Sequence, residues 1–215
     1  DSLAPDLIQA GPIQTCGLLA ALSGHRPLIV MSCGSDILLE ADRDALAARV
    51  TRYALCSSDR LVCDCRTVAE KAEQWVSGSA EKSVVFPWGI DLTRFELSDC
   101  AGQARSTLGW DDAVVVLCTR TWADIYGVET AVRAFARAYR EDSRLRLLLA
   151  ADGPLHDRIH ELIAEMRLKE QVSTPGRLGE DALLDCYRSS DIYLSCSLSD
   201  GTSISLLEAL ACGLP

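Results

Sequence analysis

The sequence predicts an α/β protein made of two parallel-sheet units, and three observations lead to that reading. Short runs of Val, Ile and Leu alternate with segments of helical period along nearly the whole chain. Those runs carry little polar alternation, the pattern of strands covered by helices on both faces. The alternation breaks once, over residues 86–112, where Pro87, Gly89, Gly102 and Gly109 fall in a stretch without a periodic apolar run.

Taken in order, DLIQA (6–10) reads as the first strand, followed by a helix over about 13–23. PLIVMSC (27–33), RLVCD (60–64) and SVVFP (83–87) are the next short apolar runs, separated by helical patterns over about 41–51 and 66–76. After the break come AVVVLCT (113–119), LRLLLAA (145–151) and DIYLSC (191–196). Helical patterns over about 127–141, 154–168, 179–189 and 203–212 lie around them. The Gly/Pro-rich stretch is the expected connection between domains. The chain therefore divides into 1–95, a connection at 96–111, and 112–215.

Composition narrows the function. A chain of 215 residues, 48% apolar and 24% charged, has the make-up of a globular protein with a substantial core. Its formal charge of −10 argues against a nucleic-acid partner, whose footprint is basic. No run reaches the ~18–20 apolar residues of a membrane span, and the acidic, polar start is not a signal peptide. The chain opens at Asp1 without a methionine and stops abruptly at Pro215, as expected of a piece of a longer protein. Of ten cysteines, Cys33, Cys118 and Cys196 end strand-like apolar runs, where a thiol acts as a small buried hydrophobe. The close pair Cys63 and Cys65 has neither zinc-knuckle nor CxxC spacing. Reduced structural thiols in a cytoplasmic protein are the expectation, with a metal or disulfide role as the alternative.

Two side-chain patterns admit a plain and a functional reading. Arg133, Arg137, Arg140 and Arg144 recur at helical spacing opposite Val128, Val132, Phe135 and Tyr139. This is either a solvated face or a surface for anionic lipid. His156 and His160 stand four apart, a spacing compatible with a metal. They lack a third ligand nearby, so no metal is expected.

The stretch SDGTSISLLEALACGLP (199–215) is the strongest candidate for chemistry. A helix start offers unpaired N–H groups and partial positive charge, which suit phosphate. Gly201 lets backbone approach a ligand closely, and the amides of Ser203, Ile204 and Ser205 are placed to point at a diphosphate. Glu208 can accept two hydrogen bonds at once, as from vicinal ribose hydroxyls. Asp200, before the helix, can take sugar hydroxyls. Equally, Ser205-Leu206-Leu207-Glu208 matches a capping box, in which Glu208 only ties off the helix start.

The second half runs ADGP, TPGRL, YRSSD and SLSDGTSISLLEALACGLP in order. The first half contains MSCGSDILLE and VVFPWGIDLTRF. This spaced set resembles retaining glycosyltransferase family four, the group 1 glycosyltransferases, from about residue 5 onward. The resemblance implies a GT-B fold: two Rossmann-like domains, an acceptor-side domain and then a donor domain, here both incomplete. It implies transfer of a sugar from a nucleotide diphosphate sugar to a lipid-linked or small-molecule acceptor, with retention of configuration. It assigns the nucleotide ribose to Glu208 and the donor sugar to Asp200, the catalytic candidate. It assigns the diphosphate to Arg120, and the base to the backbone near Arg177 and Leu178. No cofactor or metal is expected, because Arg120 and a helix N-terminus neutralise the leaving diphosphate. The sequence departs from the family pattern at three places. Asp200 replaces a glutamate, Tyr126 stands near where a lysine is usual, and Cys33 stands for a histidine. A GT-B nucleotide-sugar epimerase and a non-catalytic nucleotide-sugar-binding module are the alternatives. The expected location is cytoplasmic, with peripheral membrane contact through the arginine stripe. The piece by itself is expected to be inactive.

Overall fold

The computed structural model describes residues 4–97 and 102–215. Residues 98–101, within the expected connection, and residues 1–3 lie outside the described residues. The chain divides into two compact units, Asp1–Gly89 with Ser199–Ser203, and Ile90–Leu198 with Ile204–Pro215.

In the first unit, β1 (Ile8–Ala10), β2 (Leu28–Met31), β3 (Arg60–Cys63) and β4 (Ser83–Val85) form a parallel sheet in that order. Val30 lies opposite Leu61, and Val62 opposite Val84. Helices α1 (Leu18–Ser23), α2 (Ser35–Leu38), α3 (Ala45–Ser57) and α4 (Arg66–Trp75) connect the strands. Leu28, Val30, Leu61 and Cys63 bury one sheet face among Ala54, Leu55, Val68 and Ala72. Each such aliphatic burial is worth roughly 1.5–3 kcal/mol. The helix expected at 41–51 starts later, because Asp44 is its cap and accepts the Ala47 amide at 2.8 Å. Asp36 ties the loop after β2. Its buried carboxylate accepts from the Ser32 hydroxyl at 2.5 Å and from the amides of Ile13, Cys33 and Ile37 at 3.0–3.1 Å.

In the second unit, β5 (Val114–Cys118), β6 (Leu145–Leu149), β7 (Val172–Ser173) and β8 (Ile192–Tyr193) form a parallel sheet ordered β7-β6-β5-β8. The helices are α5 (Gln103–Thr107), α6 (Val128–Glu141), α7 (His156–Glu165), α8 (Glu180–Arg188) and α9 (Ile204–Ala211). Alternate residues of β5 enter two cores. Val116 and Cys118 pack with Val132, Phe135, Ile159 and Leu162. Val115 and Leu117 pack with Phe95, Trp110, Tyr187 and Ala209. Burial on both faces explains why these strands read as continuous apolar runs.

Several sequence expectations need correction. The strand β7 was not expected, because two residues ahead of Pro175 carry no periodicity. The α5 helix forms inside the expected connection, where Asp185 of α8 accepts the amides of Gln103 and Ala104 at 2.6 and 2.8 Å. Cys33 is exposed, not buried, since the chain leaves the sheet after Met31. Cys196 is half-buried, while Cys118 is buried and its thiol is pushed up to about 11 by burial. The described cysteines are free thiols.

Replacing Asp36 by Ala leaves the buried Ile13 amide and Ser32 hydroxyl without their acceptor. Asp36→Ala is expected to cost about 3 kcal/mol in urea unfolding; a loss within ~0.5 kcal/mol would remove Asp36 from the interactions holding this loop.

Candidate nucleotide-binding site

In the second unit, β5 leads to β6 on one side, and the chain later returns as β8 on the other. Such a reversal opens a crevice beyond the carboxyl ends of the strands, where ligands bind in open parallel sheets. A cavity of about 310 Å³ lies at these ends. Thr119 after β5, Asp152 after β6, Arg177 and Leu178 before α8, and Ser205 and Glu208 of α9 line it.

Buried hydroxyls organise the walls. Arg120, 9% exposed, donates from Nη1 to Ser205 Oγ at 3.1 Å. The Tyr193 hydroxyl donates to the same Oγ at 2.8 Å. The Tyr187 hydroxyl donates to Glu208 Oε2 at 2.8 Å and lies 3.2 Å from the Ser205 carbonyl. Thr119 Oγ1 stands between the two phenols, at 3.3 and 3.1 Å. Burial raises the proton affinity of both tyrosines, so they stay neutral donors. Burial also pushes the Glu208 carboxyl up, with the Tyr187 hydrogen bond pulling the other way. Tyr126, near the usual lysine position, lies with its ring 4.2 Å from the Arg120 guanidinium and holds it by a cation–π contact.

This geometry corrects the capping-box alternative. The α9 helix begins at Ile204, so Ser205 is already helical, and the Glu208 carboxylate turns to Tyr187 of α8. Of the candidates read from the sequence, Arg120, Leu178, Ser205 and Glu208 gather in the second unit, and Ile204 opens its last helix. Asp200, Gly201 and Ser203 fall in the segment grouped with the first unit. There the Thr202 amide donates to Asp64 Oδ2 at 2.8 Å and its hydroxyl to the Asp64 carbonyl at 2.7 Å. A Cβ on Gly201 would sit 1.8 Å from Asp64 Oδ2, so this approach requires glycine. The histidine pair is occupied otherwise. His156 Nδ1 bonds Asp152 Oδ1 at 2.9 Å, and both rings lie against buried Trp122. No group of three metal-ligating side chains occurs among the described residues.

Sequence reasoning missed Thr119, Tyr187 and Tyr193. The available signal was a tyrosine at the end of one amphipathic helix and another inside an apolar strand, since a buried phenol must find a partner.

Two Rossmann-like parallel-sheet domains, with a polar crevice at the switch point of the second, define the GT-B class. The chain aligns structurally with the Anabaena protein HepE in complex with UDP-glucose, at TM-score 0.84 and 20% identity, over 98% of this chain and 58% of that one. It aligns with sucrose-phosphate synthase from Thermosynechococcus elongatus at TM-score 0.82 and 22% identity, over 97% and 54%. In sequence it is 25% identical over 178 residues to an alpha-monoglucosyldiacylglycerol synthase of Streptococcus pneumoniae, covering 80% of this chain and 40% of that protein. It is 26% identical over 216 residues to a D-inositol 3-phosphate glycosyltransferase of Streptomyces bingchenggensis, covering 93% and 48%. The chain thus spans less than half the length of these two relatives. The sequence model of the group 1 glycosyl transferases matches residues 104–215, and the chain belongs to that family.

The raised Glu208 carboxyl has a consequence for stability. Just above the ordinary glutamate range the folded chain keeps a proton that the unfolded chain has released, so this contribution is full at lower pH and is lost as pH rises through the raised value. Glu208→Gln cannot ionise. The unfolding free energy of the wild type minus that of Glu208→Gln is expected to fall across this window and level off above it. Urea titrations between about pH 4 and about pH 8 check this, and a difference that rises with pH would contradict it.

Proposed function

We propose that the full-length protein moves a sugar from a nucleoside diphosphate sugar to an acceptor with retention of configuration. The observation that carries this reading is the convergence of Ser205, bonded by the Arg120 guanidinium, and the half-buried Glu208 carboxylate at the switch-point crevice of a group 1 glycosyl transferase. Glu208 accepts the ribose hydroxyls, and the backbone near Arg177 and Leu178 lies along the base. Arg120, the Ser203 amide and the first amides of α9, Ile204 and Ser205, meet charge growing on the leaving diphosphate. Fixed positive groups at that oxygen stabilise the transition state more than the ground state, because the charge develops only as the glycosidic bond breaks. Asp200, preceding Gly201, holds the donor sugar and is the catalytic candidate. The UDP and UDP-glucose bound to the structurally similar HepE support a nucleotide-sugar donor. Retention is what the resemblance of the spaced motif set to family four implies. No observation favours an epimerase or a non-catalytic binding module.

In this reading, residues 1–95 belong to the acceptor-side domain, 96–111 connect, and 112–215 bind the donor. The acceptor is lipid-linked or a small molecule, as the diacylglycerol and inositol phosphate in the relatives' names suggest. The protein works in the cytoplasm, at the membrane surface. No described helix is long and apolar enough to cross a membrane. Arg133, Arg137 and Arg140 stand exposed along α6, opposite Val128, Val132 and Phe135, and offer a peripheral contact.

A panel of labelled nucleotide sugars with the full-length protein tests the activity: transfer to an acceptor supports it, and isomerised donor overturns it. Glu208→Gln loses charge-assisted acceptance from ribose, so affinity for the nucleoside diphosphate is expected to fall by about 1.5–3 kcal/mol in calorimetry. Asp200→Asn is expected to lower turnover more than nucleotide affinity; unchanged nucleotide affinity in Glu208→Gln removes the ribose assignment.

Vesicle flotation tests the membrane contact. Binding to anionic vesicles is expected to drop when Arg133, Arg137 and Arg140 become Gln, and an intact protein that stays with the soluble fraction eliminates the idea.

A further inference from the structure

We propose that Tyr187 is a positioning residue for the donor site, fixing the Glu208 carboxylate in the rotamer that receives the ribose. The inference rests on the reading of Glu208 as the ribose acceptor. Tyr187 sits near the end of α8 with 1% of its surface exposed. The Phe95 ring meets it edge-on at 5.9 Å, and the Tyr193 ring lies at 6.1 Å. The ring therefore has little freedom, and its hydroxyl is delivered to one place.

That place is Glu208 Oε2, 2.8 Å away. Glu208 has three side-chain torsions and lines an open crevice, so without an anchor its carboxylate samples several rotamers, at a cost in ordering when ligand binds. Anchoring Oε2 leaves Oε1 and one Oε2 lone pair for a pair of vicinal hydroxyls. A phenylalanine would fill the same apolar space; the hydroxyl is costly to bury unless it is bonded, and here its one proton goes to Glu208 at 2.8 Å, with the Ser205 carbonyl at 3.2 Å and the Thr119 hydroxyl at 3.3 Å. Because burial keeps the phenol protonated, Tyr187 donates throughout the neutral range, and its donation favours the ionised carboxylate that ribose hydroxyls need.

A double-mutant cycle separates positioning from general support of the fold. Binding of UDP, GDP and ADP is measured by calorimetry for the wild type, Tyr187→Phe, Glu208→Gln and the double variant, all in the full-length protein. Tyr187→Phe is expected to weaken the nucleoside diphosphate that binds best about five- to tenfold. On the Glu208→Gln background the same change is expected to alter binding less than about twofold, because no carboxylate remains to be positioned. Inorganic pyrophosphate, which has no ribose, is expected to bind wild type and Tyr187→Phe alike. Equal losses on both backgrounds, or equal losses for pyrophosphate, overturn the inference and leave Tyr187 as packing. If Tyr187→Phe does not fold alone, the double variant still decides: nucleotide affinity equal to that of Glu208→Gln supports positioning, and a further loss overturns it. If Glu208→Gln binds nucleotide like the wild type, the ribose assignment itself fails, which is a result distinct from failure of the Tyr187 step.

Discussion

The second unit is organised by the burial of β5 on both faces. Val115 and Leu117 enter one apolar layer, and Val116 and Cys118 the other. A strand held this way cannot slip by one residue without exchanging every side chain between layers. Its register is therefore fixed against β6 over five residue pairs and against β8 over two. The two residues that follow, Thr119 and Arg120, inherit that precision and arrive at the crevice without needing a rigid loop. The site is thus supported by a strand packed on both faces.

Hydroxyls and an aromatic face orient the charged groups of this crevice. Arg120 bonds Ser205 and lies on the face of Tyr126, and Glu208 receives the Tyr187 hydroxyl. These contacts fix the orientation of the guanidinium and of the carboxylate. Tyr126 packs its ring against the Arg120 guanidinium, 4.2 Å from the ring centroid. A second cation near Arg120 would repel it, while the ring holds the guanidinium plane.

The segment Ser199–Ser203 behaves differently. It takes its partners from Asp64 at the end of β3, and the backbone approach there leaves no room for a side chain at Gly201. Short polar residues and glycine in this stretch are explained by that tight contact as well as by any ligand, and the two demands are compatible. Asp36 has a comparable role after the neighbouring strand β2, where it gathers three amides and a hydroxyl into the loop.

The sequence by itself determined the α/β class, the strand and helix alternation, and most strand positions, because burial on both faces writes an unmistakable apolar run. It also pointed to Ser205 and Glu208 through their places at a helix start, while Arg120 and Leu178 came only from the resemblance to the group 1 glycosyltransferases. It could not find β7, two residues long, nor the α5 helix, whose start is bonded by Asp185 some eighty residues away. Cys33 misled it, because it follows the apolar run closely while the strand ends at Met31 and the chain leaves the sheet there. The capping-box ambiguity was undecidable along the chain, since Glu208 has a suitable partner three residues back and another in a different helix. Only tertiary packing, which brings the Tyr187 hydroxyl to 2.8 Å from that carboxylate, chose between them. Local patterns record which residues share a face; which hydroxyl meets which carboxylate depends on how separate elements pack, and that is written in no single stretch.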